Sequence, residues 1–429
     1  MSTQLPTWSD TKPRHPGHPL PWLLLLIGIG LGLVAGLVSV VALTGLATMP
    51  WSVLRVEGAS LPAGNAAAAR LYILSSLVGA DGVSIVGSRI SILDPVTHQE
   101  TFSLQTGVDV EAVPSRDGTR LYVAAIDVTA SDPIGKDYLT AIDVRTKGEL
   151  WRTPLKNRAK YIFGDGPASV RLSPDGRWLY VFSYPWLELS QYGMDTNVPY
   201  WIEIIDTASG RPLPETIALP KGCNAGSMFP APRGEQMAVV CTGTSNVSFV
   251  NLRTRQVERQ LAVPDAPAYY GQPGRIMAAE ASPDSGRVYV MTDNYRLAVV
   301  DIAQQALVAW VDLGRQPYQA VRTMAMTPDG SRLFVGFRPN DSEPAITEVR
   351  VVDTTTLREV GRLSTGKGFT SPALAVGPDG QSVYSSTSSD TGGPEAWRDT
   401  LVQLNATSRA ATPLLVRQGE FIRRIFVAP

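Results

Sequence analysis

Two cysteines and three histidines serve a chain of 429 residues. The histidines are His15, His18 and His98, and two of them sit in the N-terminal tail. The main domain therefore lacks the material for a histidine-rich metal site or a Ser-His-Asp triad. No CxxC or CxxCH spacing occurs, which argues against a zinc knuckle and against covalent haem. Charge of one sign is missing too. The net charge is −1 and no long Lys/Arg run is present, so there is no electrostatic footprint for nucleic acid. Charged residues make up 18% against 44% hydrophobic, the balance of a globular chain. Glycine (38) and proline (33) are plentiful, the material of many turns.

The stretch "WLLLLIGIGLGLVAGLVSVVALTGLATM", Trp22 to Met49, carries no charge and is longer than the ~20 residues that span a bilayer. It is also longer than the apolar core of a signal peptide, although a weak cleavage-like site ends at Ala47. Lys12 and Arg14 precede it, while beyond it Arg55 is offset by Glu57. The expected layout is a cytoplasmic tail (1–19), a membrane helix (20–49), a linker (50–63) and an extracytoplasmic domain (64–429). Gly28, Gly32 and Gly36 share one face of that helix, a spacing that admits a second helix closely and is also common in membrane helices at large.

The remainder is repetitive. "VRLSPDGRWLYVFS" and "MAMTPDGSRLFVGF" are two of six copies of strand, Pro/Asp/Gly turn, strand. Their turns, at Arg116, Pro174, Pro232, Pro283, Pro328 and Pro378, lie about 45 to 58 residues apart. A second signal is a strand ending in Asp or Asn before a short turn. It occurs at Asp94, Asp143, Asp206, Asn251, Asp301, Asp353 and Asn405, where a short polar side chain can bond to the turn backbone. Four strands per unit, repeated in series, predict propeller blades. The C-terminal "FIRRIFVAP" reads as a first strand without a blade, and the opening "GNAAAARLYILSS" as a blade without its first strand. Joining them predicts an all-β ring of seven blades closed by the C-terminal strand.

Both cysteines lie in "CNAGSMFPAPRGEQMAVVC". Around a turn at Ala231–Gly234, Cys223 and Cys241 fall close to opposite one another across a hairpin, which predicts a disulfide and an oxidising compartment. A reactive or metal-binding pair is the rival reading and lacks histidine partners.

"SPDGRWLYV" and "VVDTTTLREVGRL" resemble YVTN-type surface-layer propeller repeats, a resemblance that covers nearly everything after residue 60 and speaks to fold. The cysteine-flanked Phe-Pro and Ala-Pro hairpin and "GKDYLTAIDV", Gly135 to Val144, are similar to the heavy subunit of methylamine and aromatic amine dehydrogenases. That resemblance implies a periplasmic propeller that carries no cofactor and supports a small quinone-bearing subunit. The long apolar stretch and the cysteine spacing depart from that pattern.

The loops joining blades, and those joining second to third strands, are expected on one face. They carry Tyr161, Phe163, Trp186, Tyr192, Tyr269, Tyr270, Tyr318 and Phe369, with Arg275 and Arg322 nearby. Rigid aromatics and arginine in long loops are the residue types that anchor protein interfaces, and they also cap channels and pack loops together. The expected function is a non-catalytic protein-binding or scaffold subunit, with no cofactor and no metal. The alternatives are a lactonase-like hydrolase or an oxidoreductase using Glu111 or Glu280 at the channel mouth, and a surface-layer or adhesion protein.

Overall fold

The computed structural model describes residues 56–57, 69–79, 85–129, 132–155, 170–183, 200–223, 227–241, 245–263, 276–314, 319–339, 345–368, 373–390 and 397–428. The apolar stretch 20–49, with Gly28, Gly32 and Gly36, lies outside them. No helix among the described residues is long and apolar enough to cross a membrane. Residues Val53–Val128 and Ile134–Pro429 cluster as one compact unit, which carries the propeller.

Among the described residues the strands form seven sheets, each an antiparallel meander running from an innermost strand a to an outer strand d. Blade 2 shows the pattern: Val108–Pro114, Arg120–Thr129, Asp132–Asp143 and Glu149–Pro154. Blades 3 to 7 open with Val170–Leu172, Met228–Pro230, Ile276–Ala281, Gln319–Met326 and Leu374–Val376. Blade 1 is assembled from both ends of the domain. Arg70–Val78, Ile85–Leu93 and Glu100–Thr106 supply strands b to d, and Glu420–Ala428 supplies strand a. The last strand pairs from Arg70↔Ala428 to Leu77↔Glu420, so the ring closes as the repeat count requires. Inside the segment read as a linker, Val56–Glu57 adds a short fifth strand against Leu104 and Ser103 at the outer edge of this blade.

The turn chemistry explains why these segments become hairpins. In blade 3 the Gly176 amide donates to the Ser173 carbonyl at 2.9 Å, and the Trp178 amide donates to the Ser173 hydroxyl at 2.9 Å. Gly176 takes φ +75°, as glycine can without steric cost. The polar residues closing each strand c do turn work. Asp94 accepts the amides of Val96 and Thr97, Asp353 those of Thr355 and Thr356, and Asn405 those of Thr407 and Ser408.

The core is distributed rather than central. Seven apolar clusters sit one at each blade interface. Tyr72, Ile92, Leu121 and Val123 join blades 1 and 2, and Leu71, Tyr384, Leu401 and Ile422 join blades 7 and 1. Alternate residues of each strand face the blade before and the blade after, which is the two-residue period of a sheet covered on both faces. The closing strand is fixed in the same way, with Phe426 stacked on Tyr72 at 4.8 Å between ring centroids. Such pairs contribute roughly 0.5–1.5 kcal/mol beyond their burial.

Candidate functional site

The seven innermost strands enclose a cavity of about 1050 Å³. Its walls reach the a–b turns, for Ser115, Ser173, Pro174, Ser282 and Pro283 all line it. The described cavity thus reaches the short-turn face, opposite the one expected to carry the long loops.

Equivalent wall positions follow from the hairpin hydrogen bonds. The residue opening each a–b turn is Ser115, Ser173, Ala231, Ser282, Thr327 or Gly377, and Ala428 stands in the same register against Arg70. Two residues earlier in blades 1 to 7 stand Phe426, Val113, Arg171, Phe229, Glu280, Ala325 and Ala375. Four residues earlier stand Arg424 in blade 1 and Glu111 in blade 2. These positions share one side of their strands and face the following blade. Arg424 accordingly reaches Glu111 at 2.7 Å, and Arg171 reaches the Met228 carbonyl through Nε at 3.0 Å. The outcome is an arc of alternating charge, Arg424, Glu111, Arg171 and then Glu280, running from blade 1 to blade 5.

The electrostatics follow from burial. Loss of water pushes the Arg171 guanidinium down to about 10, with the neighbouring Arg424 adding to the effect and Glu280 and Glu111 opposing it. Burial pushes the Glu280 carboxyl up to about 7, against the pull of Arg171, the Ala281 amide and Arg424. Glu280 therefore exchanges its proton near neutrality, a property that recurs at binding and catalytic sites. Glu111 is committed to its ion pair. Among the described residues no group of three or more His, Cys, Asp or Glu is arranged to hold a metal ion.

At the other face the disulfide is present. Cys223 and Cys241 are joined, with Cα atoms 4.5 Å apart, and both side chains are buried. The expected cross-strand register needs correcting. The ladder pairs Met228↔Val239 and Pro230↔Met237, so strand a begins only at Met228, after Cys223. Cys223 lies in the turn after strand d of blade 3, where its amide donates to the Pro220 carbonyl at 3.1 Å. The bond therefore ties an inter-blade connection to the end of strand b, where the next loop departs. Arg350 anchors a second connection. It is fully buried, lies over the Phe337 ring at 4.2 Å, and donates to the carbonyls of Leu313 and Gly314 at 3.1 and 3.3 Å.

The expected partner-binding residues Tyr161, Phe163, Trp186, Tyr192, Tyr269, Tyr270, Arg275, Tyr318 and Phe369 lie outside the described residues. Arg322 falls at a register shift between Val321 and Thr323, and its side chain lies outside the description. The same bulge recurs at Met277 and Arg423, which marks it as a feature of the innermost strand rather than of one loop. Arg171 and Arg424 were not singled out from sequence. The available signal was their register, for each repeats the turn-relative position of a residue that was noticed, Glu280 and Glu111 respectively.

No protein-family model matches this chain, and no curated protein does. Its fold is shared with solved structures. A chain of the Kuenenia stuttgartiensis hydrazine synthase aligns with a TM-score of 0.50 and 17% identity, over 80% of this chain and 94% of that one. A functionally unknown protein from Desulfotomaculum acetoxidans DSM 771 aligns with a TM-score of 0.53 and 12% identity, over 80% and 98%. At these identities the likeness is one of fold.

Proposed function

We propose that this chain is a membrane-anchored, extracytoplasmic binding propeller, which presents its loop face to a protein partner. The observation that carries the reading is the Cys223–Cys241 bond. It staples one inter-blade connection to the root of a neighbouring loop, at the end of the blades where the strands flanking the segments with Trp186, Tyr269 and Tyr270 terminate. Ordering a binding face in advance lowers the entropic cost of association. A disulfide also fits an oxidising compartment, which is where the charge pattern around residues 20–49 directs the domain. The finer reading is a cofactor-free supporting subunit of a redox complex, comparable with the heavy subunit of amine dehydrogenases. It rests on the resemblance of the cysteine-flanked hairpin.

A catalytic reading draws on Glu280, a carboxyl in the channel wall that burial pushes up to about 7. Glu111, the other candidate acid, is occupied by Arg424. The test is recovery of membrane-complex partners with the full-length chain. Replacing Trp186, Tyr269 and Tyr270 together by Ala releases the partner on this account, with the melting temperature unchanged. Equal recovery from the triple variant contradicts it.

A further inference from the structure

We infer that the central channel holds a small carboxylate anion against Arg171, independently of any protein bound at the loop face. Three observations carry this. The cavity, at about 1050 Å³, is at the upper end of the range in which small molecules are enclosed, and blades 6 and 7 contribute the small wall residues Thr323, Ala325 and Ala375. The charged lining is unequal. Arg116, Arg171, Arg423 and Arg424 face Glu280 and Asp284, and the Asp284 carboxylate is tied into its own turn by the Ser282 hydroxyl and the Gly286 amide. Most tellingly, Arg171 and Arg424 are held differently. Arg424 has a carboxylate at 2.7 Å. Arg171 has two carbonyl contacts, Met228 at 3.0 Å through Nε and Val170 at 3.5 Å through one Nη, and no ion pair among the described residues.

A guanidinium held by a main-chain carbonyl, with no carboxylate of the described residues within ion-pair distance, is a preset fork for a carboxylate. The two-pronged geometry of Arg and carboxylate supplies both strength and orientation. Glu280 and Glu111 act on Arg171 only from beyond ion-pair distance, whereas an anion in the cavity would reach it directly. The guanidinium of Arg171 also lies over the Phe229 ring, 5.7 Å from its centroid, a cation–π contact on the wall of the channel.

Glu280 then governs when the anion binds. The charged groups that act on it are Arg171 and Arg424, with Asp284 in the turn beyond its own strand. Tyr289 stands opposite it on the next strand. Blade 6 supplies Thr323, Met324 and Ala325 to the facing wall, none of them charged. With its proton on, Glu280 is neutral and can donate a hydrogen bond to the guest. With its proton off, it competes for Arg171 and repels the guest.

The experiment is calorimetric titration of the full-length chain with succinate at about pH 6 and about pH 8. Binding is expected to be tighter at the lower pH. Arg171→Gln should weaken it about tenfold or more at both, with Arg171→Lys recovering part of the loss and both variants melting like the parent. Glu280→Gln should bind at the higher pH as the parent does at the lower. Absence of succinate binding by the parent at millimolar concentration overturns the inference. So does unchanged binding by a folded Arg171→Gln protein. Either result leaves the partner reading untouched, because that is read by co-purification.

Discussion

The carboxylate of Asp399, on strand c of blade 7, accepts the backbone amide of Ile422 on the closing strand at 2.6 Å. This contact bridges the seam of the ring at its bulge, where Arg423 is the residue left out of the ladder against Leu74 and Ser75. Around it the seam is held by ion pairs. Arg89 lies 3.2 Å from Glu420, and Arg417 reaches both Glu100 and Glu420. The ladder of Glu420–Ala428 against Arg70–Val78 closes the ring, and these groups hold the closing strand between the last blade and the first.

Asp399 makes closure pH-dependent. Burial pushes its carboxyl up to about 7, helped by the charge on Glu420 and opposed by hydrogen bonds from Ser388 and the Ile422 amide. Its Oδ1 has no hydrogen-bond partner, which is where a proton would sit. A carboxyl raised on folding contributes fully below its unfolded value of about 4 and loses that contribution as pH rises through about 7. Asp399→Asn keeps the acceptor and removes the titration. Its melting temperature should exceed the parent's at about pH 8, with a flatter profile between about pH 5 and 8. Asp399→Ala, which orphans the Ile422 amide, should melt lower at every pH.

Gly210 should tolerate no side chain. It holds φ +69°, and a β-carbon there would fall 2.5 Å from the Trp151 ring of the preceding blade. The Trp151 indole also donates to the Thr207 carbonyl at 3.1 Å. Gly210→Ala combines a disfavoured backbone with overpacking, which together cost about 2–4 kcal/mol. Chemical denaturation should show a lowered midpoint with an unchanged slope.

Ser285 is the opposite case. It takes φ +52°, where the matching turns of blades 2, 3, 4, 6 and 7 have Gly118, Gly176, Gly234, Gly330 and Gly380. Ser285→Gly should raise stability by about 1 kcal/mol, read by the same denaturation measurement.

Arg350→Ala should cost about 3 kcal/mol or more. It leaves the Leu313 and Gly314 carbonyls without their donor and opens a void beside Phe337. Hydrogen exchange should quicken at residues 313–314, in the connection before blade 6, ahead of the strands of that blade.

Periodicity made the ring legible in the sequence. The Pro/Asp/Gly turn recurs in six blades and the terminal Asp or Asn of strand c in all seven because the blades solve the same turn problems, and Asp94, Asp353 and Asn405 do what their spacing implied. Closure was legible from the mismatch between the two ends of the domain. The disulfide was legible as a pair, but its register was not. The hairpin argument ran strand a back to Cys223, whereas the ladder starts at Met228, beyond a turn that no periodic pattern marks. Channel charge was half legible. Glu111 and Glu280 stand out as acids near the innermost strands, but nothing in the sequence alone sets Arg171 and Arg424 apart from the other arginines. Asp399 was missed because "WRDTLVQL" alternates like any half-exposed strand, and only the neighbouring closing strand makes that position buried.

Hydrogen–deuterium exchange of the full-length chain, alone and in its isolated complex, tests the central claim most directly. The account predicts protection in the complex at residues 156–169, 184–199 and 264–275, with exchange at the a–b turns around Ser173 and Ser282 unchanged. Protection confined to those turns, with the three loop segments exchanging as in the free chain, would contradict it.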